Sequence, residues 1–322
     1  MLIPDRRGGV AEEDRQVLHM RLICPPDRTD DVRAILDRHV GVAHVVVLPA
    51  AAVHPRGDLI EADLARECVD DLLGELAPLA LNRDGAITLE SLDTVLSVAA
   101  DQAEAAAPGE GVNAVVWEEL IARTGEDSRL TVNFQAFLTI ACLLAAIGAI
   151  TDSPVTVVGA MVLGPDFGPL AAVAVGVVAR RRDLIRRGCR ALLLGFPLAM
   201  AATAVAAVAF DAVGLLTTAN LDHQDQVEFI YDVGPFSFIV AMLAGVAGVL
   251  ALTSAKSGSL VGVFISATTV PAAAFASVAL VEGRFAEAAA SAAQLVVNLA
   301  GIVLAATLGL LGARHSHRWR AS

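Results

Sequence analysis

The sequence predicts an α-helical integral membrane domain of about six spans, built as a 3+3 inverted repeat with helices 2 and 5 broken, behind an N-terminal α+β ferredoxin-like domain of order βαββαβ. Three observations predict it. Six apolar stretches of span length lie between residues 131 and 312, each near the roughly 20 residues needed to cross about 30 Å of hydrocarbon. Charge divides sharply: residues 1–130 hold 25 acids against 12 bases, a net of -13, while residues 131–322 hold 10 against 11, a net of +1. Residues 17–91 alternate short β-type runs with helical ones. The domains expected are therefore a disordered 1–16, a soluble domain 17–91, a helical connector 92–130, a membrane domain 131–312 with repeats at about 131–210 and 235–311, and a basic tail 313–322.

In the soluble domain Val17–Cys24 alternates as a strand. Pro25 to Asp30 is a turn whose Thr29 or Asp30 caps a helix over Asp31–His39. Strands follow over Val42–Leu48 and Asp58–Asp63, then a helix over Leu64–Leu76 and a strand over Ala86–Glu90 after the turn Asn82-Arg83-Asp84-Gly85. This is the split βαβ order. His19, His39, His44 and His54 lack metal-ligand spacing, and the four cysteines form no C-x-x-C or Cys/His cluster. No metal or cofactor is expected, and the cysteines read as small buried hydrophobes. The domain reads as regulatory or oligomerising. The connector continues as a helix over Asp93–Ala106, a break at Pro108-Gly109, and a second amphipathic piece over Asn113–Thr124 that packs on protein.

The spans expected are Val132–Ile150, Val155–Ala179, Ala191–Phe210, Pro235–Thr253, Ser259–Val281 and Ala288–Leu311. The second and fifth carry the Gly/Pro segments VVGAMVLGPDFGPLAAVAV and LVGVFISATTVPAAAFASV. A shift of 103 superposes Val158-Gly159 on Val261-Gly262, and a shift of 102 superposes Pro169 on Pro271. Three spans per copy is an odd number, so two copies folded alike enter the bilayer from opposite sides, as in many secondary transporters. Arginines set the orientation. Arg180 to Arg187 and the cluster Arg314, Arg318 and Arg320 mark cytoplasmic faces, whereas Asp211–Gly234 holds acids and no base. Both termini are then cytoplasmic, in agreement with the lack of an apolar signal segment at Met1 to Arg6. The expected location is a prokaryotic plasma membrane, crossed several times.

Charged groups at membrane depth need a reason. Asp166 stands in Gly164-Pro165-Asp166-Phe167-Gly168-Pro169, where two prolines and two glycines free backbone groups from the helix. A carboxylate beside freed carbonyls suits a cation or a proton; the same residue can also cap the second half-helix. In span five Ser266, Thr268 and Thr269 precede Pro271, and their hydroxyls either bond their own helix or face a substrate. If the copies cross, this segment faces Asp166. Lys256 either snorkels to water, the better reading, or binds an anion. Gln294 and Asn298, one turn apart, pack against another helix or line a path, with packing favoured.

The stretches LHMRLICPPDRTDDV, WEELIARTGEDSRLTVNFQAFL, DSPVTVVGAMVLGPDFGPLAA and ALTSAKSGSLVGVFISATTVPAAA resemble the bacterial and archaeal family catalogued as domain of unknown function 389, from Leu18 to about Leu311. The resemblance implies a membrane protein with a soluble N-terminal portion and a repeated hydrophobic domain. It carries no activity.

These features lead to a secondary transporter or channel for a small ion or metabolite, with the lipid bilayer and a second copy of the chain as partners. The alternative is a membrane-anchored sensor or scaffold whose soluble domain does the recognition. An enzyme is not expected, because no nucleophile-base pair, phosphate loop or Gly-x-Ser-x-Gly elbow occurs. The acidic front also argues against a nucleic-acid partner.

Overall fold

The computed structural model describes residues 17–92, 95, 97–107, 117–214, 235–253 and 259–320, with the backbone alone for 259–268 and 315–320. The stretch 1–16, Lys256 and most of the acidic loop lie outside the described residues, as do the side chains of Ser266 and Thr268. The chain divides into two compact units, one running to Glu118 and the other comprising Glu119–Leu252 and Lys256–Arg318.

The first unit holds β1 (Val17–Cys24), α1 (Thr29–Arg38), β2 (Val42–Val53), β3 (Arg56–Ala65), α2 (Val69–Leu76), the single turn α3 (Leu81–Asp84) and β4 (Ala86–Leu92). The strands form an antiparallel sheet in the order β2-β3-β1-β4. Alternation decides which face is buried. Leu18, Met20 and Leu22 of β1 and Ile60, Ala62 and Leu64 of β3 point to one side, where Leu36 of α1 and Val69 and Leu72 of α2 cover them. The helix expected from Leu64 begins only at Val69, because Leu64 and Ala65 stay in the ladder opposite Leu18 and Val17. The first helix starts two residues earlier than expected, and the Thr29 hydroxyl donates to Asp58 at 2.6 Å rather than capping it. The connector forms α4 (Val98–Ala106) and α5 (Trp117–Asp127), and the Trp117 amide donates to the Asp70 carboxylate at 3.1 and 3.3 Å.

The second unit is helical: α6 (Val132–Ile150), α7 (Pro154–Leu163), α8 (Phe167–Val178), α9 (Arg182–Ala212), α10 (Pro235–Thr253), α11 (Ser259–Val281) and α12 (Phe285–Arg320). Among the described residues four helices, α6, α9, α10 and α12, are long and apolar enough to cross a membrane, and the bent pair α7 and α8 counts as a fifth if it is one span. The middle stretch of the second half is the 23-residue α11. Span five, expected to break at Pro271, is a continuous helix with that proline inside it. One proline without flanking glycines leaves the ladder nearly intact, whereas span two has two Gly-Pro pairs. The arginine stretch expected as a loop is mostly helix: α9 starts at Arg182, and Leu184 and Gly188, one turn apart, are buried.

Two segments sit in the interior of this unit. Pro169 to Gly176 in α8 and Thr269 to Ala279 in α11 are buried at every position. A helix that is apolar all round belongs inside, and the alanines and glycines of these segments let backbones approach closely. α11 packs against α6, α7, α8 and α9.

Candidate functional site at a helix break

The break in span two is written in its residues. Ser153 caps α7, its hydroxyl accepting from the Thr156 amide at 3.4 Å, and Pro154 takes the first helical position, where its missing N–H costs nothing. Pro165 disfavours helical geometry in the residue before it, so Gly164 turns extended at φ -63° and ψ 121° and α7 stops at Leu163. Pro169 is the third residue of α8, again a place where no intrahelical donor is needed. The two half-helices meet at a bend of 51°.

Asp166 stands at the N-cap of α8 without a capping hydrogen bond from its side chain. Its carboxylate instead accepts the hydroxyl proton of Thr269 at 2.6 Å. Both residues are fully buried, at 0% exposure. Thus of the two sequence readings of Asp166, the cap position is occupied but the carboxylate is turned to the other half of the domain. A carboxylate taken out of water needs a hydrogen-bond partner, and the Thr269 hydroxyl supplies one.

The other sequence candidates are placed separately. Gly164, Pro165, Gly168 and Pro169 form the break itself, and Pro271 lies two residues beyond Thr269 in α11. Gln294 is buried and donates from Nε2 to Ser237 of α10 at 3.0 Å, which is the helix-packing role. Asn298, one turn further along α12, is fully buried. Among the described residues no three His, Cys, Asp or Glu side chains are placed to hold a metal ion.

Sequence reasoning missed a pocket of about 540 Å³ that opens against the break. Gly164, Pro165, Phe167 and Gly168 form one wall, and Arg123, Glu126, Asp127 and Arg129 stand at the end of α5 and just after it. Gly168 is what lets the two walls meet, since a Cβ there would lie 2.6 Å from the Asp127 carbonyl oxygen. The charged residues precede α6, in a stretch that carries the family resemblance but whose spacing marks no binding chemistry. The one legible sign was the density of charge in Arg123 to Arg129.

Residues 161–304 match the family model described as Domain of unknown function (DUF389). This stretch is similar to that family. The match takes in Asp166, Thr269, Gln294 and Asn298, and begins just before the break. No curated protein and no solved structure matches the chain. The matched region thus contains both partners of the buried pair, while the charged pocket residues lie outside it.

Proposed function

We propose that the protein is a secondary transporter or channel for a small cation or proton, formed by two inverted copies of a three-span unit that meet at Asp166 and Thr269. The observation that carries this reading is the contact itself. Asp166 and Thr269 are 103 positions apart, and 103 is also the offset at which the two halves of the sequence superpose. In a two-fold arrangement, equivalent residues touch only beside the axis, so the contact supports an axis that passes beside the buried carboxylate.

The backbone supports the same offset. Val132–Ile150 and Pro235–Thr253 are 19-residue helices starting 103 positions apart. α8 ends at Val178 and α11 at Val281; α9 starts at Arg182 and α12 at Phe285. Three amide donations at the turn after α8 recur after α11: Ala179 to Val175 and Glu282 to Val278, Arg180 to Val177 and Gly283 to Leu280, Arg181 to Gly176 and Arg284 to Ala279. The middle residue of each turn is left-handed, Arg180 at φ 57° and Gly283 at φ 78°, as helix C-termini commonly are.

With α7 and α8 counted as one span and α11 as another, each copy crosses three times and the second copy is inverted. The reading rests on this contact rather than on paired breaks, because only span two is interrupted. A buried carboxylate that accepts from a hydroxyl suits exchange of that contact for a cation or a proton. The soluble domain is then a cytoplasmic regulator, and the location is the plasma membrane of a prokaryote.

The test is flux in reconstituted vesicles under imposed proton, sodium and potassium gradients. Wild-type protein dissipates at least one of them. Asp166→Asn keeps size and hydrogen bonding, so it assembles normally and loses that flux. Wild-type vesicles no leakier than empty ones, or an Asn variant with full flux, contradict the proposal.

A further inference from the structure

We infer that the pocket beside the break binds a zwitterionic small molecule with an apolar part, of amino-acid chemistry. The inference rests on the transport reading and adds to its cation or proton a second, organic ligand. The volume of about 540 Å³ lies in the range of small-molecule sites. The lining includes two residues with guanidinium groups and two with carboxylates, Arg123, Arg129, Glu126 and Asp127. These charges sum to zero. An anion drawn to the arginines is repelled by the acids, and a cation drawn to the acids is repelled by the arginines. A ligand carrying both charges satisfies both sets, and reciprocal exclusion of singly charged analogues is how such sites discriminate.

The lining is otherwise largely apolar, with Phe134, Phe137, Val162 and Phe167. It accommodates a hydrocarbon group, which makes the ligand an apolar amino acid or another small amphiphile of the same charge pattern. The pocket also has a route to the site. Its wall residues Pro165 and Phe167 flank Asp166 in the chain, so a ligand that displaces the wall shifts the segment that holds the carboxylate against Thr269. Binding and the buried pair are thereby coupled through three consecutive residues.

The same chemistry is offered by a free amino acid and by the headgroup of an ethanolamine lipid, and the experiment separates them. Full-length protein in detergent is titrated with leucine, with 3-methylbutylamine, which lacks the carboxylate, and with 4-methylpentanoate, which lacks the ammonium. Short-chain phosphatidylethanolamine and phosphatidylglycerol form the lipid arm. Stabilisation by ligand is read as a rise in melting temperature. Leucine is expected to act at concentrations at least tenfold below either singly charged analogue, and Arg129→Gln and Glu126→Gln each weaken it about tenfold while the unliganded melting temperature holds. If the ethanolamine lipid replaces leucine as the tight binder, the zwitterion is a headgroup and the inference stands with that source.

Equal potency of the three small compounds, stabilisation by phosphatidylglycerol alone, no shift with any probe, or unaltered affinity in both variants overturns it. Asp166→Asn serves to separate the two readings. It abolishes flux yet leaves leucine binding intact, so loss of flux without loss of binding bears on the transport site, and absent binding in a protein that still carries flux bears on the pocket.

Discussion

Strand β2 holds two non-glycine residues in the left-handed region, His44 at φ 51° and Ala50 at φ 54°, and an acid from β3 secures each. Such residues cost on the order of 1–3 kcal/mol and persist only where the surroundings hold them. Both sit at register shifts between β2 and β3. Asp63 reaches His44 Nδ1 at 2.7 Å, while His44 Nε2 lies 2.7 Å from the Ser97 hydroxyl. At the second shift Asp58 accepts the Ala50 amide at 2.8 Å as well as the Thr29 hydroxyl. The Thr29 hydroxyl first, and then the Ala50 amide, holds the Asp58 carboxyl below its ordinary value of 3.8. A lowered folded-state value contributes stability that is fully present above 3.8 and is lost as pH falls through the folded value. Protection of the Ala50 amide from hydrogen exchange, corrected for the intrinsic rate, is therefore expected to hold at neutral pH and to fall below about pH 4; Asp58→Asn removes that pH dependence. Protection that is flat with pH in the wild type contradicts this role. Cys68 is a second residue with a definite expectation. Burial, with the nearby charge of Glu67, pushes its thiol up to about 12. At pH 8 it stays a thiol and resists iodoacetamide, because only the thiolate attacks, while the half-buried Cys189 labels faster. Peptide mass spectrometry showing Cys68 alkylated first in the native protein refutes this.

At the scale of elements, close helix packing depends on particular glycines. A Cβ on Gly188 of α9 would lie 2.5 Å from the Pro169 carbonyl oxygen and 2.7 Å from Val173 of α8. Gly188→Ala forces the helices apart and is expected to destabilise by about 1–3 kcal/mol, read as a lower melting temperature in detergent. Gly159 of α7 has nothing within 4 Å of the same position, so Gly159→Ala is tolerated. Equal effects at the two sites would show that α8 and α9 do not pack this closely. The elements were legible where one physical signal dominated. The apolar runs Val132–Ile150, Pro235–Thr253 and Ser259–Val281 coincide with α6, α10 and α11 to the residue, because a helix in hydrocarbon has no competing conformation. Residues 182–190 hid their helix beneath four arginines, since only Leu184, Gly188 and the following Ala191 face inward. The early start of a helix at Leu64 was expected because Leu64 and Ala65 suit either state. Pairing with β1, a contact more than 40 residues away in sequence, decided it.

At the scale of the whole molecule, the contact between Asp166 and Thr269 followed a spacing visible in the sequence, and the pocket did not. Asp166 announced itself as a charge between two Gly-Pro pairs, and the offset between the halves pointed to its partner in α11. The pocket joins Arg123–Arg129 to Gly164–Gly168 across some 40 positions, and no local period reports such a meeting. The two units also differ in what builds them. A two-sided alternation builds the first, and small residues in close contact build the second. The central claim is that the halves of the membrane unit are inverted copies crossing at Asp166 and Thr269, and the most direct measurement is the sidedness of their equivalent loops. Single cysteines placed at Arg186 and after Ser322 are expected to react only with reagent on the cytoplasmic side, and a cysteine between Asp222 and Asp232 only with reagent outside. A cysteine between Asp222 and Asp232 that reacts from the cytoplasm would put both halves in the same orientation and contradict the account.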